Sequence, residues 1–186
     1  MDIFSAFGLS ASAGLNAYIP LLTVAILARF TNLITLQEPW DALSSWWMIG
    51  ILVVLSLIEF FADKVPAINH FNDLLQTLIR PVAGAIVFAA SSNMVTDIHP
   101  VLSMAMGLFV AGSVHAVKSL AVRPAVSATT AGAGNVPISI LEDVISAFVS
   151  ILAIVVPILI AAVVILATVW IILWMWRRSK RRSYSA

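Results

Sequence analysis

The sequence predicts an all-α integral membrane protein with about six transmembrane helices, or five as the alternative. Hydrophobic residues make up 61% of the chain and charged residues only 10%, against about 25% charged in soluble domains. The mean hydropathy is +1.05, and the apolar runs reach the roughly 20 residues that a membrane-spanning helix needs. With 186 residues, the chain has room for a single transmembrane domain, residues 1–176, followed by a basic tail, residues 177–186.

The first two spans are predicted at residues 4–29 and 46–62. Small residues and Asn16 occupy the middle of the first span, and Pro20 follows, so we expect a break in this helix. Trp46 and Trp47 at the start of the second span are typical of a membrane–water interface.

Three further apolar stretches follow, at residues 73–92, 101–122 and 137–176. A single helix over the last stretch would extend about 60 Å at 1.5 Å per residue, about twice the hydrocarbon thickness. We therefore expect two elements that turn near Pro157, which completes the six spans.

The basic residues predict the orientation of the chain. Half of them lie in the tail, at Arg177, Arg178, Lys180, Arg181 and Arg182. The positive-inside rule puts this tail in the cytoplasm, and threading six spans back from it puts Lys64, Lys118 and Arg123 on the cytoplasmic side as well. Five spans would put these three residues outside.

Charged residues in or beside the spans are the most informative feature, because a charge at the bilayer centre costs about 2.5–3.5 kcal/mol on insertion scales. The same threading brings these charges to the cytoplasmic half of the membrane, with Asn16 and His115 deeper along the same path. The candidate ion- or substrate-binding residues are Asn16, Glu59, Asp63, Arg80, His115, Lys118, Arg123, Glu142 and Asp143.

Simpler roles are open for several of these residues. Glu59 and Asp63 are four residues apart and share a helix face, where they coordinate an ion or substrate, pair structurally with Arg80, or lie at the membrane interface. Glu142 also fits the last position of an S-x-x-E capping box, in which it would only satisfy backbone amides. His115 is either a packed histidine or part of a proton relay.

Two short similarities suggest an internal repeat. Residues 13–17 resemble residues 111–116, and Arg80-Pro81, expected near the start of its helix, is echoed by Arg123-Pro124. Three spans in each half would give the halves opposite orientations, which is the inverted repeat of many transporters. The small residues at 127–135 are expected to form either a simple flexible turn or a loop whose backbone amides hold an anion or a lipid phosphate.

The motifs that the sequence lacks disfavour several classes of function. The chain contains no cysteine, which excludes disulfides and thiolate metal sites. It has no metal-binding, phosphate-loop or catalytic-triad motif, and its basic cluster lacks the aromatic or Gly-Arg pattern of nucleic-acid binding. We therefore expect no enzymatic activity, no cofactor, no metal site and no nucleic-acid partner.

Several runs together resemble the bacterial membrane family called domain of unknown function 4126. They are Ala-Gly-Leu-Asn-Ala-Tyr-Ile-Pro-Leu-Leu at 13–22, Glu-Phe-Phe-Ala-Asp-Lys-Val-Pro at 59–66, and the Arg-Pro run at 80–85. The second half of the family is similar to the segment from His115 to Asp143, although members usually have Asn-Pro where this chain has Asn135-Val-Pro137. The resemblance implies a multi-pass protein of the bacterial cytoplasmic (inner) membrane and carries no known activity. Its motif residues coincide with the candidate set.

We predict a small secondary transporter or channel-like permease for an ion or a small solute. The acidic residues would coordinate a cation or protons, and the basic residues would balance them or hold an anion. Because 20.0 kDa is small for a transporter, we expect a homodimer or larger membrane complex, formed through a Gly/Ala face such as Gly107 and Ala111. The alternative is a non-transporting accessory subunit or lipid-interacting scaffold, in which the charges form closed ion pairs and membrane lipids are the partners.

Overall fold

The computed structural model describes residues 3–64, 66–92 and 98–157 and Trp170, and the side chains of these residues except 66–71 and 73. All regular secondary structure within these ranges is helical. The helices are α1 (Ile3–Leu15), α2 (Tyr18–Phe30), α3 (Trp46–Ala62), α4 (Pro66–Ser92), α5 (Pro100–Val117), α6 (Arg123–Thr130) and α7 (Asn135–Pro157). A 3-10 turn, Trp40–Ser44, precedes α3, and a π-helical turn, Lys118–Val122, joins α5 to α6.

Small residues let α1 pack closely against its neighbours on more than one face. Ser10 donates a hydrogen bond of 2.8 Å to the carbonyl of Gly107 on α5. On another face, the hydroxyl of Ser12 lies 2.8 Å from that of Ser146 on α7. Close backbone packing and hydroxyl hydrogen bonds drive helix association in membranes, where lipid tails remove most of the hydrophobic driving force.

α1 runs antiparallel to α4 and ends beside the middle of that helix. The rings of Phe7 and Phe88 meet edge to face with centroids 5.0 Å apart. One turn later, the hydroxyl of Ser10 donates to the carbonyl of Gly84 at 3.3 Å. α1 ends at Leu15, so its last turn lies at the level of α4 just before Gly84.

α2 turns back beside α1, and the two helices form a hairpin with its tip at residues 16–17. Val24 of α2 is fully buried in the same core as Leu9 of α1 and Val87 of α4. The last residue of α2, Phe30, packs against Trp46 at the start of α3, with ring centroids 5.6 Å apart. Each arm has 13 residues and is therefore about 20 Å long, shorter than the roughly 30 Å hydrocarbon layer.

α3 leads from Trp46 back to the level of the hairpin tip. Most of its large apolar side chains are exposed, as expected of a helix at the edge of a bundle in lipid. Glu59 is the exception near its end, because this carboxylate points inward and is only 1% exposed.

α4 and α5 make their closest crossing at two glycines, Gly84 and Gly107. A Cβ atom at Gly107 would lie 2.5 Å from Cβ of Phe88 and 2.9 Å from Cα of Ala85. Only glycine therefore lets the two backbones approach this closely. Ala111, one turn later, is also fully buried.

Gly107 and Ala111 are therefore both buried in contacts between helices of the same chain. The prediction that these two residues form a homodimer face was wrong, because α1 and α4 already cover them. A homodimer as such stays a prediction.

The predicted all-α membrane fold and the break in the first span are confirmed. Three described helical stretches are long and apolar enough to cross a membrane: Leu74–Ser92, Pro100–Thr130 and Asn135–Pro157. α1, α2 and α3 are apolar but shorter, and α3 coincides with the second predicted span. The end of the predicted domain at residue 176, the basic tail and the second half of the 137–176 stretch lie outside the described residues.

Three local predictions were wrong. Arg80 and Pro81 lie in the middle of α4, because this helix already begins at Pro66, and proline is well suited to a first helical position. Glu142 is not an N-terminal cap, since α7 begins at Asn135. α6 continues through Thr130, so only residues 131–134 of the expected loop form a turn.

Candidate functional site

Arg80 lies at the centre of a buried group of charged side chains. It projects from the middle of α4 and is fully buried. Its Nη2 atom lies 2.9 Å from Oε1 of Glu59 and 3.6 Å from Oδ2 of Asp63, and its Nε atom also donates to Glu59 at 3.3 Å. Glu59 in the last turn of α3 and Asp63 just after this helix thus share one guanidinium.

Asp63 connects α3 to three further parts of the chain. Its Oδ1 accepts a hydrogen bond of 2.6 Å from Asn72 on α4. Its Oδ2 lies 3.2 Å from Nη2 of Arg123 on α6 and accepts a bond of 3.3 Å from Ser139 on α7. These partners stabilise the ionised form of a carboxylate that is 4% exposed, since each of them donates to it.

Lys118 and Glu142 form a second buried ion pair, between the π-helical turn and α7. Nζ of Lys118 lies 2.7 Å from Oε2 of Glu142, and Nη2 of Arg123 lies 3.6 Å from the same oxygen. Lys118 also donates to the carbonyl of Leu15 at 3.0 Å. A cation at this position satisfies a C-terminal carbonyl of α1 and complements the negative end of its dipole.

The hairpin tip is held by Asn16 and Asp143. Oδ1 of Asn16 accepts from the backbone N–H groups of Tyr18 and Ile19, both at 3.1 Å, and so caps the first turn of α2. Its amide nitrogen donates to Oδ1 of Asp143 at 2.9 Å. The other oxygen of Asp143 pairs with Lys64 at 3.2 Å.

His115 joins Arg80 to the outer side of α4. Its Nδ1 atom lies 3.3 Å from Nη1 of Arg80, and its Nε2 atom lies 3.2 Å from the hydroxyl of Thr77. A guanidinium can only donate, so Nδ1 accepts this bond in the neutral imidazole. The proton then lies on Nε2, which donates to Thr77.

Six of these ionised residues form one ion-pair network, and Lys64 and Asp143 form a separate pair beside it. We call the eight residues together the charge cluster. It consists of four acidic and four basic side chains, which cancel in formal charge: Glu59, Asp63, Glu142 and Asp143 with Lys64, Arg80, Lys118 and Arg123. Its members come from α3, α4, the π-helical turn, α6 and α7 and from the residues just after α3, and they surround the tip of the α1–α2 hairpin.

All nine candidate residues from the sequence lie in the charge cluster or in direct contact with it. Their role in binding an ion or a substrate stays a prediction. Lys64, Asn72, Thr77 and Ser139 also contribute, but sequence reasoning did not select them. Of these, only Lys64 carried a usable signal, because it directly follows Asp63 and belongs to the run that resembles the family.

Two carboxylate oxygens in the cluster receive no hydrogen bond in the described part of the chain. Oε2 of Glu142 is in ion-pair contact with Lys118, whereas Oε2 of Glu59 lacks a donor because Oε1 receives both bonds from Arg80. Oε1 of the neighbouring, 2% exposed Gln76 on α4 likewise accepts no bond there. Unpartnered polar atoms at this depth are costly, and they leave acceptors that a proton or a ligand could use.

The described residues contain no group of three or more His, Asp or Glu side chains placed to hold a metal ion. Each carboxylate of the cluster instead faces at least one basic side chain. The arrangement lets the carboxylates exchange ion-pair partners, since each of them lies within 4 Å of a basic side chain.

Comparison with known proteins gives one match. Searches of curated proteins and of solved structures found no match. The model of the family described as "Domain of unknown function (DUF4126)" matches residues 3–178, which include the whole charge cluster. The chain belongs to this family, as the motifs around Asn16, Glu59 and Arg80 indicated.

Proposed function

We propose that the protein is a small secondary transporter or channel-like permease that moves an ion or a small solute past the charge cluster. The observation that carries this proposal is a group of eight paired charges, seven of them buried, around the tip of a broken helix.

Stability alone gives little reason for such a cluster. Removing two charges from water costs several kcal/mol per ion, and apolar residues of similar volume are often as stabilising as a buried pair. Ionisable residues within membrane proteins therefore usually mark ion pathways or proton relays. The fully buried Arg80–Glu59 pair, with both side chains 0% exposed, is the strongest case in this chain.

The backbone around the cluster is interrupted as in many transporter sites. The α1–α2 break places a helix C-terminus beside Lys118 and a helix N-terminus beside Asn16. Discontinuous helices commonly bind substrates and coupling ions through such ends. The π-helical turn at Lys118–Val122 adds a second irregularity, of a type that is frequent at functional sites.

A non-transporting scaffold is the second candidate function. The observation that favours it is the equal number of acidic and basic side chains, all of which pair within the chain. In a scaffold this network would only lock the helices in register.

Reconstitution into liposomes tests the first proposal. Wild-type protein should carry protons, Na⁺, K⁺ or Cl⁻ down an imposed gradient, as measured by entrapped ion-sensitive dyes. Glu59→Gln should abolish this flux, because it removes the buried ionisable group. The protein should stay folded, since Asp63 still neutralises Arg80.

Glu38→Gln is the matched control, because it makes the same change at an exposed residue outside the helices. Size-exclusion chromatography confirms that each variant is monodisperse before reconstitution. Wild-type liposomes that move none of these ions, or Glu59→Gln liposomes with undiminished flux, would contradict the transport proposal and favour the scaffold.

A further inference from the structure

Two unpartnered acceptors lie where α4 meets the end of α3. Glu59 is 1% exposed and Gln76 is 2% exposed. Within the described residues, Oε2 of Glu59 and Oε1 of Gln76 receive no hydrogen bond. A buried acceptor without a donor is costly, so two of them at one place indicate that a further hydrogen-bond donor binds there.

The spacing along α4 directs Gln76 toward Glu59. Asn72, Gln76 and Arg80 follow one another at intervals of four residues and therefore lie on one face of the helix. The first of them bonds Asp63 and the last bonds Glu59, so this face is the one that meets the end of α3. Gln76 lies between them, and its buried amide is at the level of the two carboxylates.

A single proton on Glu59 can satisfy both acceptors. An ionised carboxylate only accepts hydrogen bonds, whereas a protonated one gains an O–H donor. With the proton on Oε2, Glu59 can donate to Oε1 of Gln76 and still accept the bonds from Arg80 through its own Oε1. No hydrogen bond between described residues has to break when the proton binds.

The charges around Glu59 make this binding reversible. Protonation leaves Arg80 paired with Asp63 at 3.6 Å. The six-residue ion-pair network balances in charge only while Glu59 is ionised, so one surplus positive charge opposes the bound proton and favours its release, as conduction requires. The other titratable groups around this pair, on the surrounding elements, are Tyr18 of α2, His115 of α5, Lys118 of the π-helical turn, Arg123 of α6 and Glu142 of α7.

A metal ion fits this place less well than a proton. Together with Ser56, whose hydroxyl is also unpartnered among the described residues, the two side chains would offer three oxygen atoms. Hard divalent cations take about six or more oxygen ligands. A proton needs only one acceptor besides the carboxylate that carries it.

We propose that Glu59 is the proton-binding residue of the charge cluster and that Gln76 accepts the hydrogen bond of its protonated form. In the transporter proposed above, the proton is then the ion that passes the cluster, and this part of the inference rests on the proposed function. Proton binding itself is measured without an ion gradient, so either proposal can fail without the other.

Infrared difference spectroscopy tests the proton site directly. The purified protein in lipid nanodiscs is titrated from alkaline to mildly acidic pH, and the carbonyl stretch of protonated carboxylic acids is followed. We expect a band that wild-type protein shows and Glu59→Gln lacks. Glu38→Gln is the matched control, because it removes an exposed carboxylate outside the helices and should leave this band in place.

Gln76→Leu should weaken proton binding at Glu59 about fivefold, which is the equivalent of one ordinary hydrogen bond. The band should also move to a higher wavenumber, because the O–H group of Glu59 has lost its acceptor. A purely structural role of Gln76 would not move it. Gln76→Met keeps the length of the side chain and serves as the second variant if Gln76→Leu does not fold. Gln37→Leu, at an exposed glutamine, is the matched control.

Two outcomes would overturn the proposal. The first is the absence of any carboxylic acid band that depends on Glu59, as expected if a water molecule bridged Gln76 to a permanently ionised Glu59. The second is a Glu59 band that the folded Gln76→Leu and Gln76→Met variants leave unchanged in position and in pH dependence. A Glu59 band in a protein whose liposomes carry no ion would support the proton site and contradict transport alone.

Discussion

At the scale of single residues, Arg80 sets the electrostatics of the site. Its guanidinium lies within 3.6 Å of both Glu59 and Asp63 and 3.3 Å from His115. Only an arginine offers enough donors in one plane to bond several groups at once. The pairing of the Glu59 and Asp63 carboxylates and the neutral tautomer of His115 therefore both depend on the side chain of Arg80.

Arg80→Gln should destabilise the protein strongly, by about 3–5 kcal/mol, because it leaves two buried carboxylates without their shared cation. The measurement is the thermal unfolding midpoint in detergent. Arg29→Gln is the matched control, since Arg29 is an exposed arginine whose contact is a cation–π interaction with Trp46.

The double variant Glu59→Gln/Arg80→Gln separates charge from packing. It should unfold at a higher temperature than Arg80→Gln alone, because one uncompensated carboxylate has been removed. A double variant that is less stable than Arg80→Gln would mean that shape, and not charge, dominates at this position.

The residues that cluster could be predicted from the sequence, because charged side chains are unusual within apolar runs. A charge inside an apolar run needs a partner. The predicted topology placed these charges in the same half of the membrane, so they could pair only with one another. Asn72, Thr77 and Ser139 could not be found in this way, since a neutral polar residue in a membrane helix is common and can bond its own backbone. The capping role weighed for Glu142 failed because the start of α7 depends on the preceding turn.

At the scale of elements, two glycines fix the distance between α4 and α5. Gly84 and Gly107 lie at the crossing, where any Cβ would overlap the opposite helix. Ser10 of α1 bonds both of their carbonyls and thereby ties α1 to the same crossing.

Gly107→Ala should destabilise the bundle by about 1–3 kcal/mol, as overpacking does elsewhere, because Phe88 and Ala85 cannot both retreat. Gly112→Ala on the same helix is the matched control, since its Cβ has room. Unfolding midpoints in detergent compare the two. Equal midpoints would show that a Cβ atom at Gly107 has room between α4 and α5.

At the scale of the whole molecule, the α1–α2 hairpin changes how the chain crosses the membrane. Both ends of a hairpin lie on one side, so α1 and α2 together do not cross. The charge cluster then lies at the hairpin tip, at the end of α3, and at the level where α7 begins.

Single cysteines can test this topology, because the chain has none of its own. Phe4→Cys and Glu38→Cys should react with a membrane-impermeant maleimide from one side of the membrane, and Ala133→Cys from the opposite side. If α1 and α2 were one continuous span, Phe4→Cys and Glu38→Cys would instead react from opposite sides. Each variant should first be shown to be monodisperse.

The sequence by itself determined the membrane class, the helical fold and seven of the eight residues of the charge cluster, because hydropathy and the cost of burying charge act on each residue wherever it lies in the fold. The tertiary structure alone decided that the first span folds back as a hairpin, that Gly107 packs inside the chain, and which acid pairs with which base. Those outcomes depend on distances of a few ångströms between helices far apart in sequence. The order of residues along the chain does not contain such distances.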